Sequence, residues 1–230
     1  MSIIYSLARI TLVMLFACGM LNAQNVVADY SFSGNATDGS AFENDAAING
    51  ALLTQDRFGA ARSAFQFDGS TAFLGAASAG HLMTDNVTIS MWVNVSELPP
   101  QGEAYLLSLG GWQERYKVSL PGHGKVIWTT NADGISDMDA GDGNELQEGV
   151  WTHIAFVHDG TEDKIFLNGA LVASKAVTGS LNTTEAPLGI GYNIYEGGSY
   201  FNGAIDDVII FDDAVSDQDI ADLYAQQTME

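Results

Sequence analysis

Oxygen-bearing side chains gather in one early stretch. Ser33 to Gly50, SGNATDGSAFENDAAING, carries Asn35, Asp38, Ser40, Glu43, Asn44 and Asp45. Such a set suits calcium, which takes six to eight oxygens from carboxylates, carbonyls and water. It equally suits a loop whose short polar side chains hydrogen-bond their own backbone. A second acidic group, Asp137, Asp139, Asp142 and Glu145 in SDMDAGDGNE, departs from an EF-hand because Gly141 stands where a fifth-position ligand belongs. It reads as a solvated surface loop, with weak cation binding as the alternative. The histidines, His81, His123, His153 and His158, form no metal-ligand pair of a known spacing. Glycoside hydrolysis needs two carboxyls about 5–5.5 Å apart for retention, or about 6.5–9.5 Å for inversion. Asp137 and Asp139 have alternate spacing, but among glycines in the expected loop. No nucleophile elbow and no phosphate-binding glycine loop is visible. The chain is therefore expected not to be an enzyme.

Aromatic residues are the other chemically useful pool. Trp112, Tyr116, Trp128, Tyr192, Tyr195 and Tyr200 fall in or beside expected loops. Each could present a ring to a ligand or fill a core, since aromatic rings bury large areas. Trp92 sits on the polar face of its strand; for Trp92 and Trp151 a place in the core is expected, under a second layer.

The elements that must position these residues are strands. GVWTHIAFVHDGTEDKIFLNGALV, Gly149 to Val172, reads as a three-stranded meander: Trp151 to His158, Lys164 to Leu167, and Ala170 to Ala173. Asn168-Gly169 accepts positive φ at both centres of a type I′ turn. Val87 to Val95 alternates with period two, Val87, Ile89, Met91, Val93 and Val95 sharing a face. Further strands are expected at Val26–Phe32, Ala64–Phe67, Phe73-Leu74, Ala104–Leu109, Tyr116–Leu120, Lys125–Thr130, Leu188–Tyr192 and Gly203–Phe211, and a long loop at Asn131–Glu148. Ser216 can cap a closing helix, with Asp219 three residues on and Ile220, Leu223 and Tyr224 as its stripe. About a dozen strands spaced by turn signals predict an all-β, two-sheet sandwich or jelly roll with a short C-terminal helix.

Composition narrows the partners. The formal net charge of −21 argues against nucleic acid and anionic membranes, which attract basic surfaces. Residues 1–23 read as a secretory signal, with Arg9, an apolar run from Ile10 to Met20, and Ala23 at a plausible cleavage site. That run is short for a membrane span, which needs roughly 20 residues. Cys18 follows Leu15-Phe16-Ala17, a loose match to a lipoprotein cleavage box. Residues 24–230 are expected to form one domain, secreted, extracellular, periplasmic or on the cell surface. Cleavage after Ala23 leaves no cysteine, so stability must come from the core, bound metal, or both.

The run WTHIAFVHDGTEDKIFLNGALVAS resembles the centre of laminin-G-like jelly-roll domains of the concanavalin A-like lectin and glucanase superfamily. FNGAIDDVIIFDDAVSDQDIADLY resembles their closing strand and helix, and ADYSFSGNATDGSAFENDAAINGA with AFQFDGS their opening. The resemblance implies one structural calcium ion held by Asp38 and Asp206, with backbone oxygens near Asp68 and Gly69. Asp206 shares strand phase with Val208 and Ile210, so its carboxylate is expected in a packed face, whereas Asp207, in the opposite phase, is expected to be a solvated or capping residue. Without the metal, Asp206 would accept backbone N–H groups and Asp38 would make an Asx-turn. The resemblance also implies a carbohydrate platform drawn from Trp112, Tyr116, Trp128, Tyr192 and Tyr195. The partner is then a glycan or, in an adhesive role, a cell-surface or extracellular protein; a glycan-cleaving enzyme of the same fold is the third reading.

Overall fold

The structure, a computed structural model, describes residues 26–229, so the expected signal segment and Cys18 lie outside the described residues. The strands in order are β1 (Val26–Tyr30), β2 (Ala47–Asn49), β3 (Leu52–Thr54), β4 (Ala64–Asp68), β5 (Phe73–Ala76), β6 (Val87–Val95), β7 (Glu103–Leu109), β8 (Tyr116–Pro121), β9 (Ile127–Asn131), β10 (Ile135–Asp139), β11 (Trp151–His158), β12 (Glu162–Leu167), β13 (Ala170–Ala176), β14 (Leu188–Ile190) and β15 (Asn202–Phe211). Helix α1 (Gly111–Glu114) follows β7, and α2 (Asp217–Gln227) closes the chain. Two antiparallel sheets result. The first runs β13-β12-β11-β6-β15-β4-β3, with β1 also on β15; the second runs β10-β9-β8-β7-β14-β5-β2.

Local chemistry explains the meander. Asn168 and Gly169 both take positive φ, 49° and 75°, so the β12–β13 turn has the hand that suits twisted strands. The alternation of β6 sets the core: Ile89, Met91 and Val93 face inward with Ile154, Phe156 and Ile205, against Leu106, Val118 and Trp128 of the second sheet. The other face of β6 is buried as well, because α2 lies across it. Trp92 stacks on Tyr224 with centroids 5.7 Å apart and donates Nε1–H to Gln227 Oε1 at 2.8 Å. Ser216 caps α2 by accepting the Asp219 N–H at 3.2 Å.

Two expectations change. Asn131–Glu148 is not one loop, since Ile135–Asp139 pairs residue for residue with β9. Asp206 also does not share a face with Val208 and Ile210. A bulge between Asp206 and Ile209, with Asp207 at φ 45°, shifts the phase. Asp206 stands opposite Trp92 on the outer face beneath α2, and Asp207 turns to the same partner, Arg57. An extra residue in one strand resets alternation beyond it, which strand phase alone cannot reveal.

Candidate functional site

Among the described residues, no helix is laid along the outer face of the second sheet as α2 is along the first. Its cross-strand register builds two polar rows. Ser108, Lys117, Thr129 and Asp137 stand opposite one another on β7, β8, β9 and β10. Tyr105, Ser119, Ile127 and Asp139 form the next row. Alternation puts these outward because Tyr116, Val118 and Leu120, and Trp128 beside them, point into the core.

Loops cover one end of the face. Gly75 and Gly189 are paired across β5 and β14. A Cβ on Gly189 would come within 2.7 Å of the Tyr192 carbonyl oxygen, and one on Gly75 within 2.8 Å of Ile194. The two glycines thus let the 191–201 segment lie directly on the sheet. That segment is tied down by Gly191 N–H to Leu106 O at 2.9 Å and Tyr105 N–H to Ser199 O at 2.8 Å. Tyr195 donates its hydroxyl to Glu114, which also accepts from Thr184, joining this segment to α1. Both contacts hold the Glu114 carboxyl below its ordinary value.

What remains open is a hollow of about 300 Å³ lined by Glu103, Trp112, Lys117, Ile127 and Asp137. Its floor is preorganised. Lys117 pairs with Glu103, Ser119 donates Oγ–H to Glu103 Oε2 at 2.6 Å, and the Lys117 ammonium lies 4.9 Å from the Tyr105 ring centre. Thr129 donates to Asp137. Tyr105 is buried; burial first, then the nearby charges of Glu103, Glu196 and Asp137, push its phenol above the ordinary range. It stays a neutral hydroxyl at any physiological pH. Lys117, Ser119 and Thr129 are buried beneath this floor and hold its carboxylates in place, so the reachable groups are the Trp112 indole with Glu103 and Asp137. Such an indole can stack on an apolar ring face while the fixed carboxylates accept hydrogen bonds from its polar rim.

The expected platform is thereby divided. Trp112 is 36% exposed and lines the hollow. Tyr195 is exposed, but its hydroxyl belongs to Glu114, beside a separate open depression. Tyr192 is sandwiched between Phe73 and Tyr200, at 4.8 and 4.3 Å. Tyr116 and Trp128 are fully buried, ring against ring at 5.6 Å, and have no surface to offer a ligand. Trp92 is in the interior, as expected. Tyr105, Lys117 and Glu103 were not singled out in the sequence. The phase of Lys117 and Ser119 against Tyr116, Val118 and Leu120 is the signal that could have found them.

The two side chains expected to hold calcium, Asp38 and Asp206, are each engaged by protein donors. Asp38 accepts four protein donors: Asp29 N–H and Ser40 N–H at 2.9 Å, Ser40 Oγ–H at 2.8 Å and Asn44 N–H at 2.9 Å. Burial works to raise its pKa, but these backbone donors outweigh it and the carboxyl is lowered. Asp68 is filled by the N–H groups of Ser70, Thr71 and Ala72 and the Thr71 hydroxyl, the turn that also contains Gly69. Asp206 faces the Arg57 guanidinium at 3.0 Å. Arg57 is itself held between Phe58 and Trp92, 4.6 Å from each ring centre, and donates to the Gln227 carbonyl that ends α2. Protein donors use the four acceptor sites of the Asp38 carboxylate, and the Asp206 carboxyl already has a guanidinium and the Asp207 N–H as partners, which a cation would have to displace. Among the described residues no group of three or more His, Cys, Asp or Glu side chains is placed to hold a metal ion. In the second acidic group, Asp142 and Asp139 meet Lys125 at 2.9 and 3.6 Å.

A family profile, Laminin_G_3 of the concanavalin A-like lectin/glucanases superfamily, matches residues 68–221. No curated protein matches the chain. Among solved structures, the binding domain of Paraclostridial Mosquitocidal Protein 1 superposes with a TM-score of 0.74 at 16% identity, over 89% of this chain and 53% of that one. Domain 4 of AbnA, a GH43 extracellular arabinanase from Geobacillus stearothermophilus solved with arabinotriose, gives 0.69 at 20% identity, over 87% of this chain and 98% of that one. The botulinum neurotoxin serotype G binding domain gives 0.72 at 18% identity, over 89% and 52%. The chain thus spans about half the length of the toxin binding domains it matches. At these identities the likeness is one of fold.

Proposed function

This chain belongs to the concanavalin A-like lectin/glucanases superfamily, and on that premise we propose that it is a secreted, non-catalytic module that binds carbohydrate on the open face of its second sheet. The observation that carries the reading is Trp112, an exposed indole at the edge of a floor made by Glu103, Lys117 and Asp137. Sugars present just this pairing of an apolar ring face with a rim of hydroxyls. The likeness to a domain solved with arabinotriose, matched over nearly its whole length, supports the reading. Protein binding is the competing role, and one experiment separates them. Binding is screened on immobilised neutral polysaccharides and a glycan array, with Trp112→Ala alongside. Loss of one exposed stacking platform is expected to weaken binding about tenfold, at about 1.4 kcal/mol per factor of ten, with an unchanged melting temperature. No retention on any glycan, or full retention by Trp112→Ala, would overturn the proposal.

A further inference from the structure

A second hollow, of about 440 Å³, opens beside the first. Its walls come from the turn after β4 (Asp68, Gly69), the Glu97–Ala104 connection into β7, and Ser199, Tyr200 and Asn202. Glu103 lines both hollows, so one side chain forms their common border. It is also the side chain that holds Lys117 and Ser119 in the first.

The second hollow is as firmly built as the first. Gly69 N–H donates to Phe201 O at 2.9 Å and Ser96 N–H to Asn202 O at 3.0 Å. Asn202 Nδ2 donates to Glu97 Oε2 at 3.2 Å. Tyr200 stacks on Tyr192 with centroids 4.3 Å apart and planes 23° from parallel, and Tyr192 in turn lies 4.8 Å from Phe73. The Tyr200 ring is therefore braced from behind, as a platform must be if it is to stack on a ligand without first being ordered.

We propose that the two hollows are one continuous site that takes an internal stretch of a linear, uncharged polysaccharide, with Trp112 and Tyr200 as platforms on either side of Glu103. This rests on the carbohydrate reading above and extends it in two respects, chain length and charge. Length follows from the shared border: a terminal mono- or disaccharide can occupy one hollow, whereas a chain crossing Glu103 occupies both. Charge follows from the lining. The two linings together hold four carboxylates, Asp68, Glu97, Glu103 and Asp137, with Asp68 engaged by its own turn, against one ammonium, Lys117, already paired with Glu103. Carboxylates accept hydrogen bonds from sugar hydroxyls. A uronate, sialate or sulfate group would bring a further anion to these acceptors, on a chain of net charge −21.

The test is isothermal titration of the full chain with arabino-, xylo-, cello- and laminari-oligosaccharides of two to eight units, and with polygalacturonate and alginate at low salt. Affinity is expected to rise about tenfold or more between three and six units of the preferred series, with no binding of the two polyuronates. Tyr200→Ala is expected to remove the gain with length while leaving the trisaccharide affinity within about twofold. Glu97→Ala, on the exposed rim, repeats the test should Tyr200→Ala lower the melting temperature. Trp112→Ala is expected to weaken ligands of every length. A plateau by three units, or hexasaccharide binding unchanged in both second-hollow variants, overturns the continuous site while the carbohydrate reading stands. Equal or tighter binding of a polyuronate overturns the charge selection. Trp112→Ala binding like the parent overturns the carbohydrate reading itself, and this proposal with it.

Discussion

Lowering the pH from 7 to 5 is expected to remove about 2 kcal/mol of stability through one side chain, His153. The ring lies on the outer face of β11, beneath α2, 5.4 Å from the Trp92 ring and 5.6 Å from Tyr224. Its Nε2 is 2.9 Å from Ser90 Oγ, and its Nδ1 is buried with no hydrogen-bond partner. A bare ring nitrogen costs less buried than an unpaired N–H, so the proton belongs on Nε2 and the ring is neutral. Burial, then the charge of Arg57, lowers its pKa to about 3. The unfolded ring takes up its proton near pH 6.5. Between those two values the unfolded state binds more protons, so stability falls as pH falls. Each pH unit below 6.5 removes about 1.4 kcal/mol, hence about 2 kcal/mol by pH 5 and about 4 kcal/mol near pH 3, where the folded ring takes up its own proton. The assay is urea unfolding at pH 7 and pH 5 for the parent chain and for His153→Gln, which keeps a polar atom toward Ser90. Carboxylates and the other histidines titrate alike in both chains and cancel in the difference. The parent should lose about 2 kcal/mol more than the variant. A difference below about 0.5 kcal/mol would refute the reasoning, because the ring would then be accepting its proton inside the fold.

His158 should behave in the opposite sense. Its Nδ1 is 2.7 Å from Asp163 Oδ1 and its Nε2 2.9 Å from Gly179 O, so both nitrogens face acceptors and the charged ring is favoured. Burial lowers its pKa, but Asp163 and Gly179 outweigh that and raise it. The stability it contributes is full below pH 6.5 and is lost as pH rises through the raised value. The gap in unfolding free energy between the parent and His158→Gln should therefore narrow from pH 6 to pH 9; a constant or widening gap would contradict it. Arg57→Ala should destabilise the chain by about 1.5–3 kcal/mol in urea, the worth of a hydrogen bond to a charged group, because it removes the partner of Asp206 and Asp207. Burial first, then Asp207, push the Asp206 carboxyl up to about 8, so it takes up a proton when the guanidinium is gone. Adding Asp206→Leu should recover part of that loss, and no recovery would mean that the packing of Arg57 between its two rings matters more than its charge. Since Asp38 and Asp206 already have protein donors as partners, excess EDTA should leave the melting temperature unchanged. A fall of several degrees would return calcium to the account.

Strands whose signals are local could be read from the chain. Asn168-Gly169, the alternation of Val87 to Val95 and the Ser216 cap each depend on neighbours in sequence, and each lies where expected. β10 was not legible in the same way. Ile135, Asp137 and Asp139 do alternate with Ser136 and Met138, but Asp and Gly are poor strand formers, and the pairing partner that overrides this preference is β9. The binding face was half legible. Trp112 stood out beside Gly110-Gly111. Tyr116 and Trp128 drew notice for their ring type, although Tyr116 shares strand phase with Val118 and Leu120 and Trp128 pairs with Val118 across β8 and β9, which places both in the core.

Residue order thus determined two antiparallel sheets, a closing helix and an acidic surface, because alternation, turn chemistry and charge act over a few residues. Tertiary structure alone decided which carboxylates are free and which rings can be reached. Asp38 and Asp206 carry the same group as Asp137, yet one donor from β1 and three from the loop after it fill the first, a guanidinium from a distant turn takes the second, and the third, which accepts from Thr129, borders an open face. A carboxylate's role is set by the donors packed around it: those of Asp38 lie within nine residues of it, whereas the guanidinium that meets Asp206 comes from a segment 149 residues away.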